Sequence, residues 1–102
     1  MSAVCVGITR AALQHAIRYA NERHTFGKPI AQHQAVAFML ADMAKDLEAA
    51  RFLVWKAAKL ADLGQHGSDI ALRAFAFAEN AAMDAAINAG YVANLICDRF
   101  YQ

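Results

Sequence analysis

The sequence has few of the residues that interrupt helices. Its 102 residues include one proline, Pro29, and five glycines. Proline removes a backbone donor and glycine loses much conformational freedom in a helix, so a chain poor in both can stay helical over long segments. Alanine, the strongest intrinsic helix former, is abundant, and 59% of the residues are hydrophobic. The composition therefore predicts an all-α protein.

Charge of one sign and long apolar runs are also lacking. The formal net charge is +1, which gives no electrostatic case for binding nucleic acid or an anionic membrane. Cys5 and Cys97 lie far apart and form no metal or redox motif. We therefore expect reduced thiols in the bacterial cytoplasm or the mitochondrial matrix. Arg10 and His15 interrupt the first apolar segment, so no membrane span is expected. The first residues also lack the basic region of a signal peptide.

Apolar residues recur at helical spacing in three segments. The pattern predicts one domain, residues 1–102, folded as an antiparallel helical bundle. Its helices should cover about 3–23, 30–63 and 69–89, with a partial fourth over about 92–102. Gly64 and Gly90 are the expected C-terminal stops of the second and third helices. An alanine-rich bundle of this size would leave an apolar face exposed, so we expect it to pack against other domains or subunits.

Each predicted helix carries an apolar stripe for the core. In the first helix the stripe is Val6, Leu13, Ile17 and Ala20, and a close packing contact is expected at Gly7. The second has a heptad seam with alternating spacings of four and three: Val36, Leu40, Met43, Leu47, Ala50, Val54, Ala57 and Ala61. In the third the stripe is Ile70, Phe77, Ala81 and Ala85.

Candidate chemistry is concentrated in residues 21–34, at the junction between the first two helices. Arg23 can bind phosphate oxygens through two hydrogen bonds, and free N–H groups at a helix start favour an anion. From the residues alone, the segment is either an anion-binding corner or an ordinary inter-helix turn. The acidic residues Asp42 and Asp46 are interpreted as a solvated helix face with local charge pairs. The four histidines lack zinc-ligand spacing, so no metal site is predicted.

The sequence resembles the acyl-CoA dehydrogenase family over about residues 3–64. The resemblance is carried by the runs at 19–30, 33–35, 38–44 and 48–51, and above all by the Arg-x-x-Phe-Gly-x-Pro turn with a glutamine downstream. It implies the family's four-helix C-terminal domain, truncated at both ends. In the family this domain belongs to a homodimer or homotetramer and contributes to an FAD site on the neighbouring subunit.

The resemblance also implies roles for individual residues. Arg23 would contact the FAD pyrophosphate, Thr25 and Phe26 would contact the same cofactor, and His33 and Gln34 would lie near its adenosine part. The family reaction is the α,β-dehydrogenation of an acyl-CoA, in which a glutamate base removes the α proton. No residue of this chain matches that base, so we expect the chain as given to be inactive without the family's other domains.

Two other functions are compatible with the sequence. The chain could be a non-catalytic helical interaction module that retains the family's oligomerisation bundle. It could also pair with a separate subunit that carries the remaining domains.

Overall fold

The protein is an elongated helical bundle. The structure, a computed structural model, describes residues 1–64 and 68–94. The described part measures 58 × 18 × 16 Å along its principal axes. Its elements are α1 (Ser2–Glu22), β1 (His24–Thr25), β2 (Lys28–Pro29), a 3₁₀ helix (Ile30–Gln32), α2 (Gln34–Asp62) and α3 (Ser68–Asn94). The all-α bundle expected from composition and periodicity is confirmed, and the two short strands form a hairpin between α1 and α2.

The buried face of α1 differs from the predicted stripe. Ile17 is 41% exposed, whereas its neighbour Ala16 is buried. Thr9 is fully buried, and its hydroxyl donates a 2.8 Å hydrogen bond to the carbonyl of Cys5, which satisfies its polar group inside the core. The close contact expected at Gly7 is also wrong, because a Cβ there would meet no atom within 4 Å. Small residues thus allow α1 to approach its neighbours at Ala16 and Ala20, and not at Gly7.

The second predicted helix begins later than expected. Ile30–Gln32 form a 3₁₀ helix, His33 is extended (φ −77°, ψ 129°), and α2 starts at Gln34. The extended His33 interrupts the helical hydrogen-bond pattern, and Ile30 can thereby insert into the core, where it is fully buried. Within α2 the heptad seam is buried at Val36, Met43, Leu47 and Ala50. Beyond that point it becomes half-buried and then exposed, as at Ala61.

The third helix passes through the residue that was expected to end it. Gly90 lies inside α3, which continues to Asn94. Glycine in a helix interior costs about 1 kcal/mol relative to alanine. Burial of Val92, which is 1% exposed, offsets that cost. The Tyr19 hydroxyl also donates a 3.4 Å hydrogen bond to the Ala93 carbonyl and ties this end of α3 to α1.

The core-facing side of α3 is made almost entirely of alanine. Its buried residues include Ala74, Ala78, Ala81, Ala82 and Ala85, while Phe77, expected in the core, is 37% exposed. Of the predicted partial fourth helix, residues 92–94 belong to α3, and the rest, including Cys97, lies outside the described residues. In the part of the chain that the structure describes, no helix combines the length and apolarity needed to cross a membrane.

One cluster of the core supports the junction between α1 and α2. It consists of the buried residues Ala20, Ile30, Val36 and Val92, with Tyr19, Ala31, Met39 and Leu40 packed against them. The cluster therefore joins α1, the 3₁₀ helix, α2 and the end of α3 directly beneath the hairpin.

Candidate functional site

A tight hairpin projects from the junction between α1 and α2. Its strands pair antiparallel, with His24 opposite Pro29 and Thr25 opposite Lys28, and Phe26–Gly27 form the two-residue loop between them. Both loop residues have positive φ, 53° for Phe26 and 79° for Gly27. Two-residue hairpin loops favour this arrangement because it matches the twist of the strands. Phe26 is an uncommon residue in this region, where a side chain costs roughly 1–2 kcal/mol.

The base of the hairpin is fixed through the backbone of Arg23. Its N–H donates to the Tyr19 carbonyl at 2.9 Å, and its carbonyl accepts the N–H of Ile30 at 2.9 Å. Since Ile30 is fully buried, these bonds hold Arg23 against the core. The Arg23 side chain is half-buried, and its Nε atom is buried. The backbone of Arg23 is thus fixed where α1 ends and the hairpin begins, and its side chain is partly buried there.

His33 connects the hairpin to the start of α2. Its Nε2 lies 3.0 Å from Thr25 Oγ1 and 3.3 Å from the Thr25 carbonyl oxygen. Its ring also meets the Phe26 ring edge-on, with centroids 6.0 Å apart and an interplanar angle of 84°. Thr25 is 8% exposed, whereas Phe26 is 79% exposed. Three of the five residues singled out in the sequence are therefore in direct contact.

Gln34 is the first residue of α2, and its side chain is exposed. The first N–H groups of a helix have no intrahelical acceptor and carry partial positive charge, which favours an anion. Lys28, which sequence reasoning did not select, adds an exposed ammonium group on β2 opposite Thr25. Its position immediately after the loop glycine was the signal that could have identified it.

The chemistry of these groups suits a phosphate-bearing ligand with an aromatic part. Arg23, Lys28 and the start of α2 supply positive charge and hydrogen-bond donors within one segment of the chain. The exposed Phe26 ring offers an apolar aromatic surface in the same segment. The donor set therefore fits the phosphates and rings of a dinucleotide such as FAD.

Asp42 and Asp46, the acidic residues considered in the sequence, lie outside the junction on α2. Lys45 Nζ is 3.7 Å from a carboxylate oxygen of Asp42 and 3.7 Å from one of Asp46, and Arg51 Nη1 is 3.5 Å from Glu48 Oε1. Ion pairs of this exposed kind contribute about 0–1 kcal/mol. Within residues 1–64 and 68–94, no group of three His, Cys, Asp or Glu side chains could hold a metal ion.

The helical bundle agrees with the C-terminal helical domain that the sequence resemblance predicts. The family model for the acyl-CoA dehydrogenase C-terminal domain matches residues 1–93. The chain belongs to the acyl-CoA dehydrogenase family.

Individual relatives agree with this assignment. The chain is 47% identical over 89 residues to an acyl-CoA dehydrogenase of Bacillus subtilis (strain 168), covering 87% of this chain and 24% of that enzyme. Among solved structures, butyryl-CoA dehydrogenase from Megasphaera elsdenii is 38% identical with a TM-score of 0.87, covering 89% of this chain and 24% of that one. The structure of PigA with FAD and proline is 26% identical with a TM-score of 0.88, and the match covers 97% of this chain and 26% of that one. The chain spans about a quarter of the length of these relatives.

Proposed function

We propose that this chain is the FAD-contacting and oligomerising C-terminal domain of a flavin-dependent acyl-CoA dehydrogenase. The observation that carries the proposal is the junction at residues 23–34. An arginine with a hydrogen-bonded backbone, a hairpin with two positive φ angles and a helix start follow one another there along the chain. Family membership supports the reaction class, the α,β-dehydrogenation of an acyl-CoA. The bacterial cytoplasm or the mitochondrial matrix remains the expected location.

In this proposal each residue of the junction has a defined part. Arg23 binds the pyrophosphate, because a guanidinium can donate two parallel hydrogen bonds to phosphate oxygens. Thr25 and Phe26 line the same cofactor, and His33 and Gln34 lie near its adenosine part. FAD, when bound, supplies the acceptor for the hydride that leaves the β carbon. No residue of this chain is assigned as the base for the α proton.

Arg23→Ala tests the assignment most simply, with Arg18→Ala as the matched control. Arg18 is an exposed arginine of α1, five positions before Arg23 in the chain. Hydrogen bonds to charged groups contribute about 1.5–3 kcal/mol, so Arg23→Ala should weaken FAD binding by roughly ten- to a hundredfold. Arg18→Ala should change it less than about twofold, since an exposed charge outside the site acts only through screened, long-range attraction.

The measurement is a fluorescence anisotropy titration of FAD with the 102-residue chain and each variant. Equal losses for the two arginine variants would contradict the role given to Arg23. Helical content by circular dichroism should be the same in both variants, which excludes unfolding as the cause of any loss.

Exposed apolar side chains favour a second candidate function, a non-catalytic helical interaction module. On α2 and α3 they include Phe38, Phe52, Trp55, Leu72, Met83, Ile87 and Tyr91, each 47–66% exposed. Large exposed apolar surfaces mark sites of association. The same surfaces could contact a separate subunit that carries the remaining domains. Light scattering over a range of concentrations tests the module, because a chain that stays monomeric and binds no companion chain argues against it.

A further inference from the structure

We propose that His33 is a positioning residue, which holds the tip of the hairpin in its binding geometry through Thr25 and Phe26. This inference rests on the proposed function, because it explains how the FAD-facing residues are held before the ligand arrives. His33 need not touch the ligand for this role. Its effect is transmitted through the two hairpin residues that it contacts.

The geometry of the His33 imidazole supports this role. We call the contacts of His33 with Thr25 and Phe26 the clamp. Nε2 is within hydrogen-bond distance of two oxygen atoms of one residue, the hydroxyl and the carbonyl of Thr25, at 3.0 and 3.3 Å. If Nε2 carries the proton, it donates to Thr25; in the other tautomer the Thr25 hydroxyl donates to Nε2. Thr25 is 8% exposed, so water has little access to replace the lost partner if His33 is removed.

The backbone of His33 gives the clamp a rigid support. Its carbonyl accepts the N–H of Ala37 in the first turn of α2, at 2.9 Å. Its N–H donates to the Ile30 carbonyl at 3.0 Å, and Ile30 is fully buried in the core. His33 therefore connects the hairpin, through its ring, to the core and to the start of α2, through its backbone. A side chain mounted in this way can fix the position of the hairpin relative to both.

The tip of the hairpin has a particular need for such support. The base is held by the bond between the Arg23 carbonyl and the Ile30 N–H, whereas the strands above it contain two residues each. Phe26 at the tip adopts φ 53°, a conformation that a large side chain rarely takes without external constraint. The edge-on contact with the His33 ring reaches this residue directly. Loss of His33 should thus loosen the tip and leave the base and core intact.

Four single variants and one double variant test the clamp. His33→Ala removes it, and Thr25→Val removes only the hydroxyl at nearly constant shape. Thr25→Ser keeps the hydroxyl, and in His33→Gln the amide nitrogen can take the place of Nε2. The double variant Thr25→Val/His33→Ala measures coupling, because partners in one contact give non-additive effects.

Two readouts are expected to change together. Amide hydrogen exchange in residues 24–28 should accelerate by about five- to tenfold in His33→Ala, the factor typical of one lost hydrogen bond. FAD affinity of the chain should fall by a similar factor. If Nε2 carries the proton, Thr25→Val should show a smaller effect than His33→Ala, because the hydrogen bond to the Thr25 carbonyl remains. In either tautomer the double variant should be no worse than His33→Ala. Thr25→Ser and His33→Gln should keep the slow amide exchange of residues 24–28, because each retains a hydrogen bond between positions 25 and 33, with the urea midpoint of the bundle unchanged.

The clamp and the proposed function fail in different ways. If His33→Ala leaves hairpin exchange unchanged, or if the effects of Thr25→Val and His33→Ala add in full, the clamp is refuted whether or not FAD binds. If the wild-type chain binds no FAD while exchange responds as expected, the clamp stands as a structural device and the proposed function is contradicted. A uniform fall in stability across the bundle, without selective loosening of residues 24–28, also refutes the positioning role.

Discussion

Replacement of Ile30 by alanine should be among the most damaging single changes that the described core allows. Ile30 is fully buried and packs in one cluster with Ala20, Val36 and Val92. Three helices and the hairpin meet at this residue, and its N–H forms the bond that holds the Arg23 carbonyl. Ile30→Ala keeps that backbone bond and removes only the side chain, so the result reports on packing.

The expected loss can be bounded from the burial. Truncation of a fully buried isoleucine to alanine typically costs about 2–5 kcal/mol, which combines lost hydrophobic transfer with the cavity that remains. Two small neighbours, Ala20 and Val92, lie on separate helices, which restricts collapse into the cavity. We therefore expect about 3–4 kcal/mol. A domain of this size has a stability of about 5–15 kcal/mol, so the variant should still fold, with far less margin.

Urea unfolding followed by circular dichroism measures this loss, and Ile87→Ala is the matched control. Ile87 is the same residue type on α3, but it is 47% exposed. Its truncation should cost less than about 1 kcal/mol. With an m-value of about 1–3 kcal/mol/M, the midpoint of Ile30→Ala should fall by roughly 1–4 M and that of the control by much less. Equal midpoints for the two variants would refute the placement of Ile30 in the core.

Replacing each of two glycines by alanine should change the stability of the chain in opposite directions. Gly7→Ala should stabilise the chain by about 0.5–1 kcal/mol, because Gly7 lies within α1 and a Cβ there meets no atom within 4 Å. Gly27→Ala should destabilise it by roughly 1–2 kcal/mol, because Gly27 has a φ of 79°. Urea midpoints measure both changes, and shifts of the same sign would contradict the backbone conformations described for α1 and the hairpin.

Helical periodicity gave the most reliable prediction. The heptad spacing of α2 identified Val36, Met43, Leu47 and Ala50 as buried, because side chains that recur every three and four residues must share one helix face. The same reasoning failed at Ile17 of α1, where hydrophobicity favoured isoleucine over the adjacent Ala16. Close helix packing selects small residues, and hydrophobicity alone does not reveal where two helices approach most closely.

Predictions from local helix propensity were wrong where tertiary contacts determine the end of a helix. Gly90 was expected to end α3, and burial of Val92 two residues later extends the helix to Asn94. The hairpin had no periodic signal, because strands of two residues are too short to show alternation. The contact between Thr25 and His33 spans eight residues around a 3₁₀ turn, so no sequence spacing predicts it. Family resemblance suggested the residues of the candidate site, and their mutual geometry required the fold.

The most direct test of the FAD-contacting role is a map of backbone amide chemical shifts in the ¹⁵N-labelled chain during titration with FAD. Even a dissociation constant near 1 mM, about 4 kcal/mol of binding free energy, is measurable in this way. If the junction contacts FAD, the largest shifts should fall in residues 22–36, around Arg23, the hairpin and the start of α2. Absence of shifts there at millimolar FAD, or shifts confined to the exposed apolar surfaces of α2 and α3, would contradict that role.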